Sequence, residues 1–153
     1  MDVEDFRQMY LAELQEACNA EAQLVEALPK MAAAASHEEL KHGIESHLQE
    51  TRSHHDRVEN LLRSHGADPS AHKDQSMQAI IGESDKWSKM VPDHGLRDAS
   101  LIASAQRIEH YEMALYGSLA TWAKQLGLSE DEATLHAILE DEKRADQKLS
   151  GVA

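Results

Sequence analysis

Between residues 101 and 126, Leu101, Ala105, Ile108, Glu112, Leu115, Leu119, Trp122 and Leu126 recur at alternating steps of four and three. This repeat is the buried seam of a long helix packed against other helices. A carboxylate holds one of its places. The chain must therefore build a helical bundle whose interior accommodates Glu112.

The same feature recurs three more times. Tyr10, Leu14, Ala17, Glu21, Leu24 and Leu28 form a four-three series with one acid near its middle. Leu40, Ile44, His47, Thr51, His54, Val58 and Leu61 form another, with Glu50 flanking it one turn from both imidazoles. Leu135, Ile138, Glu142 and Leu149 share a face, and Asp146 follows Glu142 by one turn. At about 100° per residue, Glu109 lies roughly 60° from Glu112, still on the inward side, whereas His110 should face solvent. Each long segment thus carries an acid or an imidazole about halfway along its buried face. Glu13, Glu16 and Glu26 lie further round and read as solvated or marginal.

Punctuation along the chain supplies the topology. The first helix spans about residues 3–35, with Pro29 expected to interrupt and kink it near Val25. Ser36 and Glu39 have the spacing of a capping box, and the second helix should stop at Gly66. A short amphipathic helix carries Met77, Ile80, Ile81, Ser84 and Trp87. The fourth runs from about Leu96 to Leu126 and ends at Gly127. Ser129 and Glu132 suggest a second capping box, opening a last helix that fades at Gly151. Two short-looped pairs joined by a longer connection predict an all-α fold. The expectation is an antiparallel four-helix bundle with a long crossover carrying a short fifth helix, and residues 1–153 as one domain. Only seven Gly and three Pro in 153 residues leave few breaks for anything else.

A net charge of −13 repels nucleic acid phosphate and anionic lipid, which excludes both as partners. No apolar run reaches the roughly 18 residues of a membrane helix, and no signal peptide pattern is present. The expectation is a soluble cytoplasmic protein. The single Cys18 cannot form an intramolecular disulfide and reads as a small buried apolar residue.

A buried carboxylate costs several kcal/mol unless paired or protonated, and converging carboxylates raise that cost. Arg57 and Arg107 are the only cationic candidates near the seams. A pair of divalent cations answers the problem directly. Oxygen-rich ligation with one or two imidazoles suits iron or manganese, and soft thiolate ligands are lacking. Tyr116, about 40° from Glu112, could hydrogen-bond a ligand carboxylate.

The stretches "LQEACNAEAQLVEALPKMAAAAS", "HLQETRSHHDRVENLL", "LIASAQRIEHYEMALYGSL" and "LEDEKRADQKL" together resemble the YciF-like stress proteins of the ferritin-like superfamily. The resemblance covers nearly the whole chain, with four motifs in order. It implies a ferritin-like bundle, a homodimer, a di-iron centre and association with bacterial stress responses. Carried over by position, the metal ligands would be Glu21, Glu50, His54, Glu109, Glu112, Glu142 and Asp146, holding two Fe ions per chain, with Mn as the other candidate. Glu50 and Glu142 would bridge the ions. The sequence departs from the commoner Glu-x-x-His spacing: it offers Glu50-x-x-x-His54, and Asp146 where a His is expected. His47 is the alternative nitrogen ligand.

Three functions compete on this basis. The first is a redox metalloprotein reacting with peroxide or dioxygen, of di-iron peroxidase or oxidase type. It would draw electrons from an external donor, since no Cys cluster is present. The second is a non-catalytic, stress-induced interaction module whose metal site is structural or vestigial. The third, a pH-responsive bundle built on ten His, leaves the seam carboxylates unexplained.

Overall fold

The computed structural model describes residues 2–153, which form five helices. These are α1 (Phe6–Ala34), α2 (Glu38–Ser64), α3 (Gln75–Met90), α4 (His94–Gln125) and α5 (Ser129–Val152). Helix α1 packs along α2 and α4 along α5; α1 also meets α4, and α2 meets α5. The result is the expected four-helix bundle, with α3 in the crossover lying against α4 and α1.

The ends of α2 and α4 follow from their glycines. Gly66 and Gly127 have φ of 70° and 73°. Each closes its helix with a pair of backbone bonds, Ala67 N–H to Leu62 O with Gly66 N–H to Arg63 O, and Leu128 N–H to Ala123 O with Gly127 N–H to Lys124 O. Only a residue without a Cβ takes this left-handed turn at little cost.

Several local expectations are corrected. Helix α1 runs unbroken through Pro29, because Ala27, Leu28, Met31 and Ala32 around it are all buried in the core. Leu62, not Leu61, closes the α2 seam; a step of four from Val58 keeps pace with 3.6 residues per turn. Neither capping box forms. Ser129 is already helical, since the Gly127 turn leads straight into α5 and leaves Leu128 at the cap.

Ser36 has another partner. Its N–H, its hydroxyl and the His37 N–H all donate to the Asp98 carboxylate of α4, each at 2.8 Å. Asp98 thus caps α2 from a different helix and fixes the start of α4 beside the α1–α2 turn. At the opposite end, Asp131 of α5 accepts from Tyr10 of α1 at 2.7 Å and lies 2.6 Å from His65 Nε2. Midway, Asp74 caps α3 by accepting from Met77 N–H and from the Tyr111 hydroxyl of α4, while Asn19 of α1 holds its own N–H.

Burial would raise the Asp98 pKa, but its three donors hold it below the usual value. A group of this kind stabilises the fold above about pH 4 and loses its contribution as pH falls through the depressed value. Asp98→Ala is expected to cost about 1–2 kcal/mol at pH 7 in urea unfolding, a loss that shrinks in acid. An unchanged midpoint at pH 7 would show that Asp98 contributes no cap.

Candidate metal centre

The bundle core is not continuous. One apolar cluster gathers Leu24, Leu28, Leu40, Ile44, Leu101 and Ile108; the other gathers Tyr10, Leu14, Val58, Leu62, Leu119 and Leu135. Between them lies a polar layer of buried Glu21 from α1, His47 and His54 from α2, Glu109 and Glu112 from α4, and Glu142 from α5. Each of these side chains stands at a seam position or beside one. The same packing that buries the neighbouring leucines therefore drives the acids inward.

Two triads share one residue. Glu21, His54 and Glu142 offer ligand atoms within 4.8 Å of one another, and so do His47, Glu109 and Glu142. Glu142 Oε1 lies 3.0 Å from His54 Nδ1, while its Oε2 lies 3.8 Å from His47 Nε2. One oxygen thus serves each imidazole. His47 Nε2 is also 2.7 Å from Glu109 Oε1, without the alignment of a hydrogen bond. Glu112 sits among them, fully buried, with neither oxygen partnered.

Around this layer the other candidates occupy different positions. Glu50 is half-exposed and stands 3.6 Å behind His47 Nδ1, outside both triads. Asp146 is also outside them, 3.2 Å from the Nε2 of exposed His110. Asp141 was not singled out from the sequence, yet it bonds His54 Nε2 at 2.9 Å and is itself held by Arg144. It lies about 100° from Glu142 on α5 and so reads as a surface residue. Tyr116 donates to Glu21 Oε1 at 2.7 Å, as its position beside Glu112 suggested. Among the described residues, no Lys or Arg pairs with Glu21, Glu109, Glu112 or Glu142, so Arg57 and Arg107 do not neutralise them.

Residues 5–153 match a family described as a domain of unknown function, DUF892. The chain belongs to this family. It is 36% identical to Protein YciF of Escherichia coli K12 over all of this chain and 93% of that protein. The crystal structure of the E. coli stress protein YciF superposes with a TM-score of 0.94 at 35% identity, covering 98% of this chain and 95% of that one. YcfI of Rhodopseudomonas palustris gives 0.96 at 35% identity, with 99% and 97% covered. A Xanthomonas campestris protein at 22% identity shares the fold, with a TM-score of 0.77 over 95% of this chain and 88% of that one. The chain is thus a YciF-like member of the family, and its polar layer offers ligand atoms that could hold a metal ion.

Fit to a cation follows from the donor set. Nine buried atoms of the layer lack a hydrogen-bond partner: Glu21 Oε2, both His47 nitrogens, His54 Nδ1, Glu109 Oε2, and both oxygens of Glu112 and of Glu142. An unsatisfied buried polar group costs about 1–3 kcal/mol, more if charged. Protons can replace cations only in part. Burial, then the neighbouring Glu142 carboxylate, pushes Glu109 up to about 9. Burial and the charges of Glu142 and Glu21 push Glu112 well above the carboxylate range, and burial chiefly raises Glu21. Burial opposes the charged forms of His47 and His54, but Glu109 and Glu142 respectively outweigh it and raise both. Burial would also raise Glu142, yet the neighbouring Glu109 and His54 bring it down to about 2.

In the metal-free protein, Glu21, Glu109 and Glu112 hold protons that the unfolded chain releases near pH 4.5, while His47 and His54 hold protons it releases near 6.5. The folded state therefore binds more protons across this window, and stability falls as pH rises. Each such proton contributes a slope of about 1.4 kcal/mol per pH unit. Thermal unfolding of metal-free protein should show the melting temperature dropping steadily between pH 5 and pH 9, with a shallower fall in Glu112→Gln. A flat profile would mean that the layer is not held by protons.

Proposed function

We propose that this layer is a dinuclear metal centre of the di-iron carboxylate type, with manganese as the alternative metal, and that it reacts with peroxide or dioxygen during stress. The observation that carries the reading is Glu142, one oxygen toward each imidazole, at the junction of two triads ringed by unpartnered buried atoms. Glu21, His54 and Glu142 would hold one ion; His47, Glu109 and Glu142 the other, with Glu112 between them. Ferrous iron in such a site supplies one electron per ion to an oxidant.

The chain's own residues prepare the site. Asp141, steadied by Arg144, binds His54 Nε2 and so leaves Nδ1 facing inward. Glu50 occupies the same place behind His47, whose Nε2 faces inward. Such outer carboxylates select the imidazole tautomer and raise its basicity. Tyr116 fixes one oxygen of Glu21 and leaves the other free. Glu50 and Asp146, carried over as ligands by resemblance, would join the centre only after a change of side-chain rotamer. The two apolar clusters exclude water above and below. Electrons must come from an outside donor, since Cys18 is buried and alone.

A non-catalytic interaction module is the second reading. It draws on Trp87, Met90 and Leu96, exposed around the α3–α4 connection. It requires partner binding to survive replacement of the layer's acids by Gln.

Anaerobic Fe(II) titration of metal-stripped protein is expected to show about two tight ions per chain, and fewer in Glu112→Ala with its helicity intact. Absence of specific binding in both proteins would exclude the redox reading.

A further inference from the structure

One cavity reaches the polar layer from outside. It has a volume of about 100 Å³ and opens between α2 and α5. Buried Leu28, Leu40, Ile44 and Ile108 form its apolar walls, and His47 and Glu109 close its inner end. The opening is bordered by Glu39, Gly43 and Lys148. It therefore reaches the His47 side of the centre, whereas His54, Glu21 and Glu112 are not among its lining residues.

Size and charge restrict the occupant. An engineered apolar cavity of roughly 150 Å³ holds one benzene, so this one encloses about four non-hydrogen atoms, and one or two more can extend into its opening. A helix about 10 Å across is too thick to enter. Glu39 and Lys148 offset one another at the rim, so the opening favours neither sign of charge. An ion of either sign would lose its hydration against four aliphatic walls. A neutral ligand with an apolar body remains; its polar end finds His47 and Glu109 at the inner end, and Ser46 and Glu50 also line the cavity.

We propose that this cavity binds a small neutral aliphatic molecule bearing oxygen at one end, the size of a four-carbon alkyl hydroperoxide or its alcohol, with the oxygen end toward His47 and Glu109. This deepens the proposed function by naming a substrate class. Its functional meaning rests on that reading; the binding itself does not. An apolar oxidant partitions into such a cavity more readily than hydrogen peroxide, whose polar surface has no partners along the walls.

Gly43 provides the test. A Cβ there meets no atom within 4 Å, so Gly43→Leu starts from open space, adds bulk at the opening and has better helix propensity. Gly117 on α4 is equally unobstructed and away from the cavity, so Gly117→Leu is the control. Metal-free full-length protein, with its Ile and Leu methyls labelled, is titrated with tert-butanol by NMR. Saturable shifts confined to Leu28, Leu40, Ile44, Ile108 and Leu149 are expected, with affinity about tenfold or more weaker in Gly43→Leu and unchanged in Gly117→Leu. Absence of saturable shifts in the parent, or equal affinity in Gly43→Leu, overturns the proposal. With iron-loaded protein, Gly43→Leu is expected to lower kcat/KM for tert-butyl hydroperoxide about tenfold while sparing hydrogen peroxide. Equal losses for both oxidants would overturn the substrate assignment. Saturable binding in a protein that takes up no iron would retain the cavity and reject the redox centre.

Discussion

Mutual repulsion among carboxylates taken out of water is the constraint around which this bundle is built. Glu21, Glu109, Glu112 and Glu142 come from three helices and are buried with only two imidazoles and one phenol for company. Like charges at such separations cannot all ionise in a medium of low polarity. The layer must take up protons or cations, and it divides the apolar core into two clusters that could otherwise have merged. Burial of those two apolar clusters offsets its cost.

The helices must also hold their heights against one another. A shift of one residue along any helix would rotate its acid by about 100° out of the layer. Polar clamps at both ends oppose this. Asp98 ties α4 to the start of α2, and the Tyr10–Asp131–His65 group ties α1, α5 and the end of α2. Asp74 fastens the crossover helix to α1 and α4 near mid-bundle, on the side opposite the cavity. Asp98, Asp131 and Asp74 are each buried, and their bonds cross between helices. They set register where hydrophobic packing alone would allow sliding.

Access to the layer is asymmetric. The cavity between α2 and α5 leads to His47 and Glu109, whereas His54 is backed by Asp141 and Arg144. The two halves of the layer are therefore chemically distinct although Glu142 joins them. The arrangement of donors, rather than kinship with YciF, carries the chemical reading.

Much of this was legible in the linear order of residues. Four-three spacing gives bundle helices, and Glu21, His54, Glu112 and Glu142 fall within it because a seam position is inward whatever residue fills it. Gly66 and Gly127 ended their helices as expected, since the left-handed turn is a local property. Contacts between helices were not legible in the same way. Asp98 displaced the Ser36 capping box from 62 residues away. Asp141 reached His54, Glu50 stood behind His47, and Leu62 replaced Leu61, each according to how neighbouring helices meet. Periodicity assigns a side chain to a face, and so the sequence alone determined the helices, their order and the inward acids. Which atoms converge, which imidazole nitrogen faces inward and where a cavity opens depend on the height and rotation of one helix against the next, and only the tertiary structure decides those.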